Sequence, residues 1–431
     1  MQAPEGGPPQ ARLPRGFHRL IAAQFFSALA DNALLIVTIA LLVRQGAPAW
    51  WAPMLKFGFT LSYVVLAPVV GPLADAWPKA RLMAWMNAVK VLGVLGLLTG
   101  CPPLLAFAIV GFGAAAYAPA KYGLVTELVG PERLVQANGW IEVSVVSAAL
   151  LGAVLGGLLV SPWWLGLTAT GWLADGPALG ASFMALLSVY ALAGWLNVGI
   201  PDSGARYPAS AIHPVALWRT FVASNRTLWR DPEGGLSLAV TTIFWGLGAT
   251  LQFIVLRWAG DVLGLPLDQA AYLQAAVAVG VVIGASAAGR WVSLQAARRM
   301  LGAGVVLGLT MPLVAETSTL TLALPLLVVV GAVGGLMVVP LNALLQHRGC
   351  VLLSAGRSIA VQGFNENASV LVMLAVYAGL IALDVPIVPL MWGFGLAIAA
   401  AIAGLMLRER RRERAWPAGR VGPQATTDRA G

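Results

Sequence analysis

The segment GAAAYAPAKYGL at residues 113–124 lies over GGLMVVPLNALL at 334–345 with one constant offset, pairing Gly113 with Gly334, Pro119 with Pro340 and Lys121 with Asn342. A few residues on, NGWIE at 138–142 lies over QGFNE at 362–366, so Gly139 matches Gly363, Trp140 matches Phe364 and Glu142 matches Glu366. Short apolar segments match by chance, and either alignment alone is weak. Two in the same order at nearly the same offset imply that the chain is a duplicated unit, the parallel repeat of transporters whose site lies between the halves.

Composition sets the surroundings of that repeat. Hydrophobic residues make up 59% of the 431, charged residues only 10%, and the mean hydropathy is +0.81; a soluble chain carries about 25% charged residues. The apolar residues fall into blocks near the ~20 residues that an α-helix needs to cross a bilayer. Twelve such blocks are read at 18–43, 51–74, 81–100, 103–125, 136–160, 177–200, 236–258, 268–290, 300–317, 319–345, 357–382 and 385–407. The longest polar connector, 201–235, falls between the sixth and seventh. The expected fold is an all-α membrane protein of twelve transmembrane helices in two pseudosymmetric six-helix bundles. Its expected parts are an N-terminal tail at 1–17, bundles at 18–200 and 236–407, the central loop at 201–235 and a basic tail at 408–431. The polar, Pro-rich start has no signal-peptide pattern, so the first helix is expected to stay in the mature chain.

Basic residues concentrate in short cytoplasmic loops. With the N-terminus inside, Arg12, Arg15, Arg19, Lys79, Arg81, Arg133, Arg206, Arg219, Arg226, Arg230, Arg290, Arg298, Arg299, Arg348, Arg357 and the tail RERRRER all fall on the cytoplasmic side. The other side receives only Arg44 and Arg257. Both termini are therefore expected in the cytoplasm. The net charge of +9 follows from the same asymmetry and faces an anionic leaflet, so it gives no reason to invoke nucleic acid. Cys101 and Cys350 lie far apart without metal-ligand spacing, and no cofactor or metal is expected. None of His18, His213 and His347 stands in an HxxxxD spacing and there is no GxSxG turn, which argues against an acyl-transfer enzyme.

The loop between the second and third blocks reads GPLADAWPKARLM (71–83) and resembles the signature of the major facilitator superfamily, with Gly71, Asp75, Lys79 and Arg81 at its glycine, acidic and basic positions. Its chemistry suits a latch: a glycine permits close helix approach, and a carboxylate accepts hydrogen bonds from the neighbouring helix or the basic residues.

Charges inside the blocks are costly and mark function candidates. The acids are Asp31, Glu142 and Glu366, and the bases Lys56, Lys90 and Lys121. Asp31, in QFFSALADNALL (24–35), is too short to reach an interface and must face the bundle interior. Lys56 is expected to snorkel, and Lys90 is left open. Three acids against one well-placed base, Lys121, suggest a cationic ligand; a purely structural ion-pair network is the rival explanation.

AQFFSALADNALL, PAKYG, ANGWIE, VVPLNALLQ and IAVQGFNENAS run in order along almost the whole chain and resemble the bacterial lysophospholipid transporter family. The resemblance implies an inner-membrane flippase that moves lysophosphatidylethanolamine and related lysophospholipids from the periplasmic to the cytoplasmic leaflet. There an acyltransferase/acyl-carrier-protein synthetase would restore the second chain. The family's charged positions carry over as Asp31, Lys121 and Glu366. The chain departs at TLQF, where Gln252 stands in place of the family's Arg, and Arg257 follows five residues later. The chemistry suits a phosphoethanolamine head: Asp31 and Glu366 for the ammonium, Lys121 for the phosphate, Asn32 and Gln252 as neutral hydrogen-bonding groups. In an empty cavity Lys121 is the expected partner of Asp31, and Glu142 is expected to serve structure. The alternative is a proton-coupled exporter of amphipathic drugs or cations.

Overall fold

The computed structural model describes residues 13–48, 50–168, 179–205, 207, 213–265 and 267–415. Arg12, Arg206, most of the N-terminal tail and the end of the basic tail lie outside them, as do the side chains of Arg15 and of residues 413–415. In chain order the α-helices of the described residues are α1 (Arg15–Arg44), α2 (Trp51–Ala76), α3 (Lys79–Leu98), α4 (Pro103–Leu128), α5 (Leu134–Leu159), α6 (Pro162–Thr168) and α7 (Gly180–Val198). They continue with α8 (Pro214–Arg230), α9 (Pro232–Asp261), α10 (Leu267–Trp291), α11 (Leu301–Ala315), α12 (Leu320–Leu352), α13 (Ala355–Ala382) and α14 (Ile387–Ala415). A 3-10 turn, Leu294–Met300, leads directly into α11. All but α6 and α8 belong to twelve segments long and apolar enough to span a bilayer, α11 together with its leading turn.

The twelve segments follow the apolar blocks in order, and two helices overrun them the most. α12 continues to Leu352 and α14 to Ala415, because a helix does not stop where its side chains turn polar: Arg348 and the arginines after Leu407 prolong it into water. The connector 201–235 also holds structure that its polarity conceals. In α8, Phe221, Ser224 and Leu228 recur on one buried face while Arg219, Arg226 and Arg230 are exposed, the pattern of an amphipathic helix. Asn225 of α8 accepts from Asn365 Nδ2 at 2.9 Å, and Trp229 donates to Asn365 Oδ1 at 3.1 Å, tying this helix to α13. Asp231 then caps α9, accepting from the Gly234 amide at 2.7 Å and from both arms of Arg348 at 3.1 and 2.5 Å. Burial works against ionising this carboxyl, yet the Arg348 and Gly234 bonds outweigh it and hold its pKa below the usual value.

An even number of crossings brings the start of α1 and the end of α14 to one face, here the terminal face; the other is the distal face. The halves meet through α2 against α13 and α5 against α10, two contacts related by the sequence repeat. One hydrophobic cluster, with Phe17, Val70 and Leu124 from the first half and Ala285, Val338 and Ala343 from the second, spans both halves near the terminal face. The other large clusters stay within one half each, Leu41, Leu55 and Phe107 in the first and Trp258, Met311 and Leu327 in the second.

Polar contacts between the halves gather at the same face. Asp75, 4% exposed at the end of α2, accepts from the Ser354 hydroxyl and from the Gly356 amide at 2.8 Å, so its charge sits on the N-terminus of α13, where the helix dipole favours an anion. Arg357 Nε lies 4.0 Å from the same carboxylate. Gly71 meets Gly356, Arg357 and Ala360 so closely that a Cβ would crowd all three. Asn138 of α5 and Gln346 of α12 exchange amide bonds at 2.9 and 3.0 Å, and Cys350 reaches Thr126 at 3.2 Å. Lys79 instead works within the first half, 2.6 Å from Glu127, which also accepts from Ser203 and Tyr207; Arg81 is exposed. The terminal face is thus sealed.

Removing the Asp75 carboxylate strands the Ser354 hydroxyl and the Gly356 amide, each loss worth about 1–3 kcal/mol. In a Cys101→Ser background, Asp75→Ala is expected to speed maleimide labelling of Cys350 by about tenfold, corresponding to ~1.4 kcal/mol of easier opening. An unchanged labelling rate would mean that the apolar cluster alone keeps the face shut.

Candidate functional site

On the distal side of the seal lies a cavity of about 240 Å³ lined by residues of α1 to α5. Its polar residues include Gln24, Asp31 and Asn32 from α1, Lys56 and Tyr63 from α2, Lys90 from α3, and Tyr117 and Lys121 from α4; Leu35, Phe59, Phe107 and Val145 supply apolar wall. The volume is below the roughly 300–1,000 Å³ that encloses a whole drug-sized ligand. A polar headgroup fits; a long chain attached to it must lie outside.

Asp31 does not pair with Lys121. Its Oδ2 is 2.7 Å from Lys90 Nζ, and its Oδ1 accepts from the Tyr190 hydroxyl of α7 at 2.7 Å. Lys90 also donates to Ser27 at 3.0 Å, and Ser27 in turn donates to Asn87 at 2.8 Å. The ammonium stands 5.2 Å from the Tyr117 ring centroid and 5.8 Å from that of Tyr190. Lys90 is therefore a fully buried cation with a complete set of partners, and it ties α3 to α1. Lys121, one helical face away, has weaker company: Gln24 Oε1 at 3.4 Å and the Tyr122 ring at 4.1 Å. Gln24 itself donates to Ser144 of α5 at 2.6 Å. Asn32, which also lines the cavity, turns its amide back on the Ala28 carbonyl at 2.8 Å.

Lys56 departs from the snorkelling expectation. It is exposed yet lines the cavity, in reach of the field of Asp31. The charge balance of the wall is accordingly the reverse of the one expected: three lysines face one carboxylate, and Glu142 and Glu366 are not part of the lining. Glu142 is buried on α5, near enough to Lys121 and to Glu366 for their charges to interact. Glu366, on α13, accepts from Gln362 Nε2 at 2.8 Å, and the same amide donates to Asn342 at 2.6 Å. These residues belong to the second half and join the first through Glu142.

Gln252 is exposed on α9 and stands apart from the cavity, its backbone oxygen accepting from Gln274 at 3.1 Å. Arg257 is engaged on its own helix, 3.2 Å from Asp261. Neither takes the place of a cavity arginine in this conformation.

The family model that describes the Major Facilitator Superfamily matches residues 20–349. A lysophospholipid transporter of Yersinia enterocolitica is 43% identical over 378 residues, 87% of this chain and 90% of the relative. One from Escherichia coli is 40% identical over 399 residues, 92% and 96% of the two chains. The chain belongs to the lysophospholipid transporter family of the major facilitator superfamily. Among solved structures, a bacterial homologue of the iron transporter ferroportin in an outward-facing state superimposes with a TM-score of 0.69 at 16% identity, covering 93% of this chain and all of the other. The Escherichia coli fucose:proton symporter gives 0.68 at 16% identity, covering 92% and 98%. At such identities the likeness is one of fold.

Family membership makes this chain a transporter rather than an enzyme. It also sharpens which residues the sequence reading passed over. Tyr190, Gln346 and Ser354 take part in the ion pair or the seal, yet none is a charge in an apolar block; Glu127, the partner of Lys79, sits so near the end of α4 that it reads as loop. Lys90 carried the needed signal, a lysine at mid-block; what was missing was the helix it faces.

With side chains 16% and 2% exposed, Asp31 and Lys90 form a buried pair, and breaking such a pair from one side costs about 3–5 kcal/mol. Asp31→Asn and Lys90→Met are each expected to lower the detergent melting temperature and folded yield, and the double variant to recover most of both. Equal losses in Asp31→Asn and Asp31→Asn/Lys121→Gln, with no recovery in the latter, would accompany this result.

Proposed function

We propose that this chain, a lysophospholipid transporter of the superfamily, moves lysophosphatidylethanolamine and related single-chain phospholipids from the outer to the cytoplasmic leaflet of a bacterial inner membrane by alternating access. The carrying observation is a headgroup-sized cavity of mixed charge, walled by apolar helices and sealed at one face. The excess of basic residues in the loops of the terminal face supports a cytoplasmic position for that face. The state described here is then the one that loads from outside.

The phosphate binds lysine ammonium groups, Lys121 among them, and the ethanolamine ammonium binds Asp31. Asn32 contributes its carbonyl oxygen. The headgroup replaces part of the hydration it leaves behind with charge-assisted hydrogen bonds, while the acyl chain stays against apolar helix surface. Opening of the Asp75 latch and closure of the distal side bring the second half toward the cavity. Glu366 and Gln252 then complete the site from α13 and α9, and Glu142 holds Lys121 in position. Delivery to the cytoplasmic leaflet supplies an acyltransferase/acyl-carrier-protein synthetase with its acceptor.

Purified protein in liposomes, given labelled lysophosphatidylethanolamine in one leaflet, is expected to move it faster than the two-chain parent by more than about tenfold, the ratio of a ~1.4 kcal/mol barrier difference. Equal rates for both lipids, or no movement beyond that in empty vesicles, would refute the proposal.

A further inference from the structure

The three cavity lysines stand at different depths. Counted along each helix from its distal end at about 1.5 Å per residue, Lys56 is about 7.5 Å below the start of α2, Lys90 about 12 Å below the end of α3, and Lys121 about 27 Å below the start of α4. Only the middle one is neutralised, by Asp31. Among the described residues, neither Lys56 nor Lys121 forms an ion pair: Lys56 has the Phe59 ring at 6.0 Å, and Lys121 has Gln24 and the Tyr122 ring.

From this arrangement we propose that Lys56 is an entry subsite for the phosphate of the incoming lipid, separate from the deep subsite at Lys121. The inference rests on the lysophospholipid reading above. The Lys56 side chain is exposed and lines the cavity about one and a half turns below the distal end of α2, where it is available to an anion arriving from the distal side. The flexible four-carbon stem lets the ammonium follow the phosphate inward. Between the two subsites the headgroup passes Asp31, whose pairing with Lys90 leaves the passage without excess positive charge. The phosphate is therefore not trapped midway, and the ammonium of a zwitterionic head meets a carboxylate as it descends. Phe59, next to Lys56 on α2, keeps the mouth apolar for the chain that trails outside.

The subsite acts on capture rather than on the transition between states, so it separates two kinetic quantities. Liposomes of phosphatidylcholine, which carry no net surface charge, receive wild type, Lys56→Gln, Lys56→Arg or Lys121→Gln, and the initial rate is followed against the concentration of labelled lysophosphatidylethanolamine. Lys56→Gln is expected to raise the half-saturating concentration by about fivefold, the upper range for one exposed ion pair, with the maximal rate unchanged. Lys56→Arg restores the half-saturating concentration. Lys121→Gln depresses the maximal rate. A half-saturating concentration unaltered by Lys56→Gln, or a loss confined to the maximal rate, overturns the entry subsite while leaving the transport reading intact. Absence of movement by wild type overturns that reading instead. In that event equilibrium binding of lysophosphatidic acid in a neutral detergent decides the subsite: binding weakened about fivefold by Lys56→Gln and recovered by Lys56→Arg sustains it, and equal binding by all three proteins overturns it.

Discussion

A carboxylate in the apolar interior of a membrane bundle has to be compensated, and the Asp31–Lys90 pair is the compensation around which the first half is arranged. Leaving either charge alone at that depth costs several kcal/mol, whereas together they satisfy each other and recruit Tyr190 and Ser27 as further partners. The pair reaches from α1 to α3, with Tyr190 joining from α7, so three helices are held in register by one ionic knot. Because Asp31 is engaged by Lys90, it forms no ion pair with the other lysines of the wall, Lys56 and Lys121. A single pairing choice thereby turns what looks in sequence like an acid-rich interior into a cavity with positive charge to offer.

The duplication supplies the second constraint. The halves meet through the related contacts α2–α13 and α5–α10, where small residues, Gly71 on α2 and Gly139 on α5, let the backbones come close. Symmetry of scaffold does not carry over to chemistry. Lys121 of the first half corresponds to Asn342 of the second, so Glu142 lies near a cation while Glu366 is held by the Gln362 amide. The hydrogen-bonded network of Asn342, Gln362 and Glu366 is easier to rearrange than an ion pair, since its bonds can be exchanged one at a time. Unequal halves of this kind give one side the anchoring and the other the adaptability.

Much of the fold was legible because bilayer thickness imposes a period on hydrophobicity: the twelve blocks, their order and the repeat built on Pro119 and Pro340 are all visible in one dimension. The helix α8 was not, since its apolar residues are few and its average composition is polar; only their spacing betrays it. The site was legible in its membership more than in its connections. Asp31, Asn32 and Lys121 line the cavity, but the partner of Asp31 lies 59 residues away on another helix, and no local pattern distinguishes Lys90 from Lys121 as that partner. Lys56 was misplaced for a related reason, because a lysine near a helix end looks the same whether it reaches for lipid headgroups or for a cavity mouth.

Gln252 shows how far a static arrangement constrains such a site. Its neutral side chain stands exposed on α9, away from the cavity, while Arg257 is occupied by Asp261 on the distal part of the same helix. In the proposed closure of the second half over the first, a cation at position 252 would have to be desolvated and would add to a wall that already carries Lys56 and Lys121, neither of them in an ion pair. Glutamine avoids that added repulsion and keeps a neutral hydrogen-bond donor on α9. The unpaired lysines of the first half and the neutral residue of α9 are therefore mutually consistent: positive charge held by α2 and α4 relieves α9 of carrying it.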